Sequence, residues 1–128
     1  MVTALYASLL ACIMIFLSVQ VIKQRRANKI AYADGEVESL KIARSAQSNA
    51  TEYIPITLIM MALFEYNSGP LLLIHSLGVI FILGRILHAK AILSNTFPGR
   101  KAGMMMTFGV MLALIVLNLV YLPFDKMW

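Results

Sequence analysis

The sequence predicts an all-α membrane protein, a four-transmembrane-helix bundle forming one domain over residues 1–128. Three observations carry this. Hydrophobic residues make up 60% of the chain and charged residues only 13%, against about 45–50% and about 25% in a soluble domain. The apolar excess collects in four blocks, at about residues 2–25, 36–66, 70–94 and 102–122. About 20 residues at 1.5 Å each cross the hydrocarbon core, so each block is long enough to span. Turn signals and basic clusters separate the blocks. A chain this short cannot bury all four within itself, so lipid or sister copies must cover the remainder.

The formal charge of +5 could suggest a nucleic-acid partner. The basic residues sit at block ends and not on a soluble face, which excludes that reading. Cys12 is the only cysteine. It allows neither a disulfide framework nor a cysteine metal site within one chain and reads as a small packing residue.

The first block runs from about Val2 into KQRRANK. No basic stretch precedes it and no small-residue cleavage site follows, so it reads as a retained helix and not a signal peptide. Lys23, Arg25, Arg26 and Lys29 close it. In the loop that follows, Asp34-Gly35 marks a turn. Glu36 and Glu38 suit the first turn of a second helix, where carboxylates meet the positive dipole end. That helix starts in water near Glu36, enters the apolar layer near Ser45 and carries Pro55, which membrane helices tolerate. Asn67 to Pro70 forms a tight turn without a basic residue. The third block carries Arg85 and His88 near its far end. The loop SNTFPGRK then supplies Arg100 and Lys101 before a fourth block rich in Met and Leu, and Pro123 and DKMW end the chain. Basic residues crowd the first and third loops, so by the positive-inside rule both termini face away from the cytoplasm.

The most informative stretch is RSAQSNATEYIP, Arg44 to Pro55. Ser45, Asn49, Glu52 and Ile56 share one helical stripe, with Tyr53 beside it. A carboxylate in a membrane segment is costly and normally faces a bundle interior or a wet cavity. Counting down from the outer turn, Glu52 and Arg85 each lie about 14 residues deep, roughly 21 Å. The count therefore predicts a Glu52–Arg85 rung with an Asn49–His88 rung one turn below. This arrangement can be a structural ion pair, or a pocket for a small anion that also presents an ammonium to Glu52.

These residues carry a resemblance. QSNATEYIP, VQVIKQRRA and GRILHA resemble the corresponding segments of the MAPEG proteins, membrane-associated proteins of eicosanoid and glutathione metabolism, over essentially the whole chain. The match is nearest to the small bacterial branch. The resemblance implies a homotrimer in a bacterial inner membrane, with glutathione as co-substrate bound between subunits near the cytoplasmic face. It implies a thiolate that attacks a lipophilic electrophile or reduces a hydroperoxide, so lipid, a lipophilic small molecule and glutathione are the expected partners. Arg25, Gln47, Asn49, Glu52, Tyr53, Arg85 and His88 match glutathione contacts. Arg100 or Lys101 matches the basic residue at the start of helix four, and these two, with Arg26 in reserve, are the candidates for stabilising the thiolate. Two positions depart from the family pattern. Ser45 stands where a helix-two arginine is expected, with Arg44 about 100° round the helix, and Ile92 stands for a tyrosine. A non-catalytic binding protein of the same family is the competing reading. A four-helix multidrug exporter ranks last, because its membrane carboxylate lies in its first helix and block one has no acidic residue.

Overall fold

The computed structural model describes residues 1–126; Met127 and Trp128, the end of the expected tail, lie outside the described residues. Four long helices follow in order, α1 (Thr3–Asn28), α2 (Glu38–Tyr66), α3 (Leu71–Leu93) and α4 (Phe97–Val120), before a short 3-10 turn at Phe124–Lys126. Helices α2 and α3 each touch all three others, whereas α1 and α4 do not touch. The chain is therefore an α2–α3 pair flanked on opposite sides by α1 and α4.

The helix ends follow local chemistry. Lys29 ends α1 in the left-handed region at φ 54, and the Ile30 N–H returns to the Arg25 carbonyl at 3.0 Å, the usual way of satisfying the last carbonyls. Helix α2 starts at Glu38 and not at Glu36. Glu36 has φ 60, a conformation no right-handed helix accepts, and its N–H is held by Asp34 Oδ1 at 3.1 Å. Helix α4 starts at Phe97, five residues before the expected 102. Pro98 belongs to its first turn, where a missing N–H costs nothing. Arg100 and Lys101 are thus on the helix and not in the loop.

Three of the helices, α1, α3 and α4, are long and apolar enough to cross a membrane. Helix α2 is the longest at 29 residues, but its polar run from Arg44 to Glu52 keeps it from meeting the same measure. Its apolar side is nevertheless the centre of the core, where Ala46, Ala50, Ile54, Met61 and Phe64 pack with Leu10, Leu17, Phe81, Val110 and Leu114. The other helices turn many large apolar side chains outward, among them Phe16, Leu72, Leu83, Leu112 and Val116.

At the end away from the basic loops, Glu65 of α2 accepts the Thr3 N–H at 2.8 Å and the Val2 N–H. It so occupies the N-terminal end of α1, which no side chain of its own caps. The Tyr6 hydroxyl lies 2.9 Å from His75 Nδ1. Its ring rests on Gly78, where an added Cβ would come within 2.6 Å of it. These contacts fix α1 against α2 and α3 in register.

Candidate functional site

The site is built where glycines let α3 and α4 approach closely. A Cβ on Gly103 would lie 2.6 Å from His88 Cβ and 2.8 Å from the Gly84 carbonyl. The bare backbone there lets the next turn of α4 meet Arg85. Thr107, one turn beyond Gly103, donates to the Gly103 carbonyl at 2.9 Å and accepts from Arg85 Nη1 at 3.4 Å. From the other side, Asn49 Oδ1 of α2 accepts from Arg85 Nη2 at 2.7 Å. The Asn49 amide nitrogen then donates toward Met104 Sδ at 3.7 Å. Arg85 is 1% exposed and His88 3%. Arg85 Nε and His88 Nδ1 are buried and meet no partner among the described residues. Buried polar groups are nearly always satisfied, so each such atom calls for an explanation.

The expected Glu52–Arg85 rung is absent among the described residues. Glu52 is exposed and accepts from the Ser48 hydroxyl one turn back at 3.0 Å. Three residues along a helix amount to 300°, so Glu52 points about 60° away from Asn49, off the side that faces α3. Arg85 meets Asn49 instead, one turn below the level the count gave it.

Two clefts meet on this face. One, of about 390 Å³, is lined by Ser45, Asn49, His88, Ile92, Arg100 and Lys101, with Phe97 and Met104. The other, of about 610 Å³, is lined by Asp34, Lys41, Arg44, Ser45, Ser48, Asn49 and Glu52. Ser45 and Asn49 belong to both. Arg44 lies 3.6 Å from Asp34 across the second cleft. In the water-side turns, the hydrogen bond from Lys41 to the Glu36 carboxylate holds the ammonium above the usual lysine range.

The candidate residues divide accordingly. Asn49, His88, Arg100 and Lys101 line the first cleft, Arg85 lies buried directly behind Asn49, and Glu52 lines the second cleft. Gln47 turns to α1 and donates to the Ser18 hydroxyl at 2.9 Å. Tyr53 packs edge-on against Phe108 with ring centres 5.5 Å apart. Arg25 is occupied in holding the first loop, through the Ala33 carbonyl at 2.9 Å and the Ala31 carbonyl at 3.3 Å. Arg26 is exposed at the foot of α1, across the α2–α3 pair from Arg100 and Lys101. Thr107 and Met104 were not singled out from the sequence. Their signal is the spacing Gly103-Met104-Thr107, a small residue followed by polar or polarisable ones on the same helical face.

The sequence profile of the MAPEG family matches residues 3–120. The chain belongs to the MAPEG family. It is also similar to the inner membrane protein YecN of Escherichia coli K12, with 34% identity over 125 residues, 98% of this chain and 95% of that protein. The YecN protein of E. coli O6:H1 matches to the same extent. With three helices of spanning length and apolarity, this MAPEG chain is an integral membrane protein. The two positions expected to depart from the family pattern, Ser45 and Ile92, both line the cleft that holds Asn49, His88, Arg100 and Lys101.

Proposed function

We propose that these clefts bind glutathione and that the protein is a glutathione-dependent membrane transferase or peroxidase acting on lipophilic electrophiles or hydroperoxides. The observation that carries the reading is the surplus of polar groups over partners. Arg85 Nε and His88 Nδ1 are buried without one, beside a cleft that also holds Asn49, Arg100 and Lys101. Glutathione offers two carboxylates, an ammonium, amides and a thiol. Arg100 and Lys101 suit a carboxylate or thiolate, Asn49 and His88 suit amides, and Glu52, which has no cationic partner among the described residues, suits the ammonium.

The reading includes a homotrimer in which all four helices cross a bacterial inner membrane, with both termini away from the cytoplasm. Within one subunit, Arg26 on α1 cannot join Arg100 and Lys101 on α4, because α1 and α4 flank opposite sides of the α2–α3 pair. A ligand that meets both needs α1 of a neighbouring copy. The exposed polar face of α2 likewise suits a neighbour or a wet cavity better than lipid.

The chemistry requires a thiolate. A free thiol has a pKa of about 8.5, and a cation within hydrogen-bond reach favours the charged form. Arg100 or Lys101 takes this role, with Arg26 of a neighbouring copy as the third candidate. In transfer, the thiolate sulfur forms a bond to the electrophilic carbon and the leaving group departs with its electron pair. In peroxide reduction, two glutathione thiols reduce one hydroperoxide to an alcohol and water and end as a disulfide.

The competing reading, a binding protein without catalysis, is favoured by Ser45 and Ile92 in the cleft wall. The test is glutathione binding to the purified protein, read together with the ultraviolet thiolate absorbance of the bound tripeptide. Binding with a thiolate band at pH 7, lost in Arg100→Ala or Lys101→Ala while binding persists, supports the enzyme. Binding without the band supports the binding protein. Absence of binding overturns both.

A further inference from the structure

A third cleft, of about 500 Å³, lies on a different face, between α1 and α3. It is almost wholly apolar, walled by Ile13 and Phe16 of α1 and by Ile86, Ala89 and Leu93 of α3, and Lys90 lies on it. A second lysine stands at the same end. Helices α1 and α3 run parallel, and Tyr6 is level with His75 and Gly78. Equal helical rise then puts Lys23 level with residues 92–95, just past Leu93. Lys23 also follows Phe16 by seven residues, so it projects from the same helical face. Both lysines are exposed, and neither forms an ion pair among the described residues.

We infer that this groove is a binding site for an anionic phospholipid of the leaflet at the basic end of the bundle. One acyl chain lies along Phe16, Ile86 and Ala89, and the phosphate is held between Lys23 and Lys90. The charge pattern selects this occupant. A neutral chain or a neighbouring apolar helix would use the walls and leave both ammonium groups unmatched. A soluble anion would use the lysines and leave the apolar walls in water. A phospholipid matches both ends, and volumes of about 300–1,000 Å³ are typical of small-molecule sites. The inference is independent of glutathione, since the groove shares no residue with the two clefts around Asn49.

The experiment uses the full chain in vesicles, with Phe16→Trp as reporter in a Trp128→Phe background, which leaves one indole because the sequence has one Trp. Brominated phosphatidylglycerol and brominated phosphatidylcholine serve in turn as quenchers within an unbrominated bilayer. The expected result is stronger quenching by phosphatidylglycerol, a preference of about fivefold for each lysine that engages the headgroup. Lys23→Gln with Lys90→Gln is expected to reduce it to equal quenching. Equal quenching by the two lipids in the reporter protein overturns the site, a result that needs no lysine variant to fold. A preference that survives the double lysine variant overturns the assignment to Lys23 and Lys90.

Discussion

The buried guanidinium of Arg85 gives the sharpest stability test. Arginine carries five N–H donors. Among the described residues its one short hydrogen bond is the 2.7 Å contact to Asn49 Oδ1, and the Thr107 contact is long at 3.4 Å. A hydrogen bond to a charged group contributes about 1.5–3 kcal/mol in water-soluble proteins. Measured couplings between polar side chains in membrane bundles average about 0.6 kcal/mol and reach about 1.7. Asn49→Leu removes the acceptor and leaves the charge buried. The coupling between Asn49→Leu and Arg85→Met is expected at about 1–2 kcal/mol, near the upper end for membrane bundles because the pair is short and charge-assisted and its guanidinium is buried. Thr107→Val, coupled to the same arginine change, is expected to give about half as much. The assay is reversible unfolding of the purified protein in mixed micelles with rising sodium dodecyl sulfate, followed by circular dichroism. A coupling under about 0.3 kcal/mol for Asn49 and Arg85, within the additivity of independent sites, would refute the idea that this contact holds α2 to α3.

Three further outcomes are expected. Glu52→Gln should leave unfolding stability within about 0.5 kcal/mol, as for an ordinary surface change, and weaken glutathione binding; a large loss of stability would mean that the carboxylate meets a cation in the assembly. Gly103→Ala should destabilise by about 1–3 kcal/mol through overpacking, since its Cβ would come 2.6 Å from His88 Cβ; wild-type stability would show that α3 and α4 separate at little cost. Light scattering in mild detergent should give three copies per particle, and a monomer at every concentration would leave Arg26 without a route to the α4 cations.

Much of this architecture is written in the spacing of apolar and polar residues. The four blocks became four helices because long, largely apolar runs, a Gly-containing turn and an Asn-Ser-Gly-Pro turn leave the chain few other options. What the sequence concealed was decided by single backbone conformations and by rotation about helix axes. The left-handed Glu36 delays α2, and Pro98 in a first turn advances α4. The depth count placed Glu52 and Arg85 on one level, but depth says nothing about azimuth. One turn of depth and about 60° of rotation together gave the arginine to Asn49. Glu65 was hidden for a different reason: its acceptors' partners are backbone N–H groups of α1, which carry no side-chain signature.

The expected departure at Ser45 also gains a meaning that position alone did not supply. Ser45 lines both clefts, and Arg44, one residue earlier, lines the second with Lys41 and Glu52. The cation expected at Ser45 is therefore moved about 100° round α2, from the α4 side of Asn49 to the loop side. There it faces Asp34 at 3.6 Å, a pair with both partners partly exposed and so of small net stability. Such a weakly held arginine can exchange Asp34 for a ligand carboxylate at little cost. On the α4 side, Arg100 and Lys101 remain the cations. On the proposed reading, a ligand carrying two carboxylates has one at either side of Asn49, and the amide that anchors Arg85 is the middle of the site.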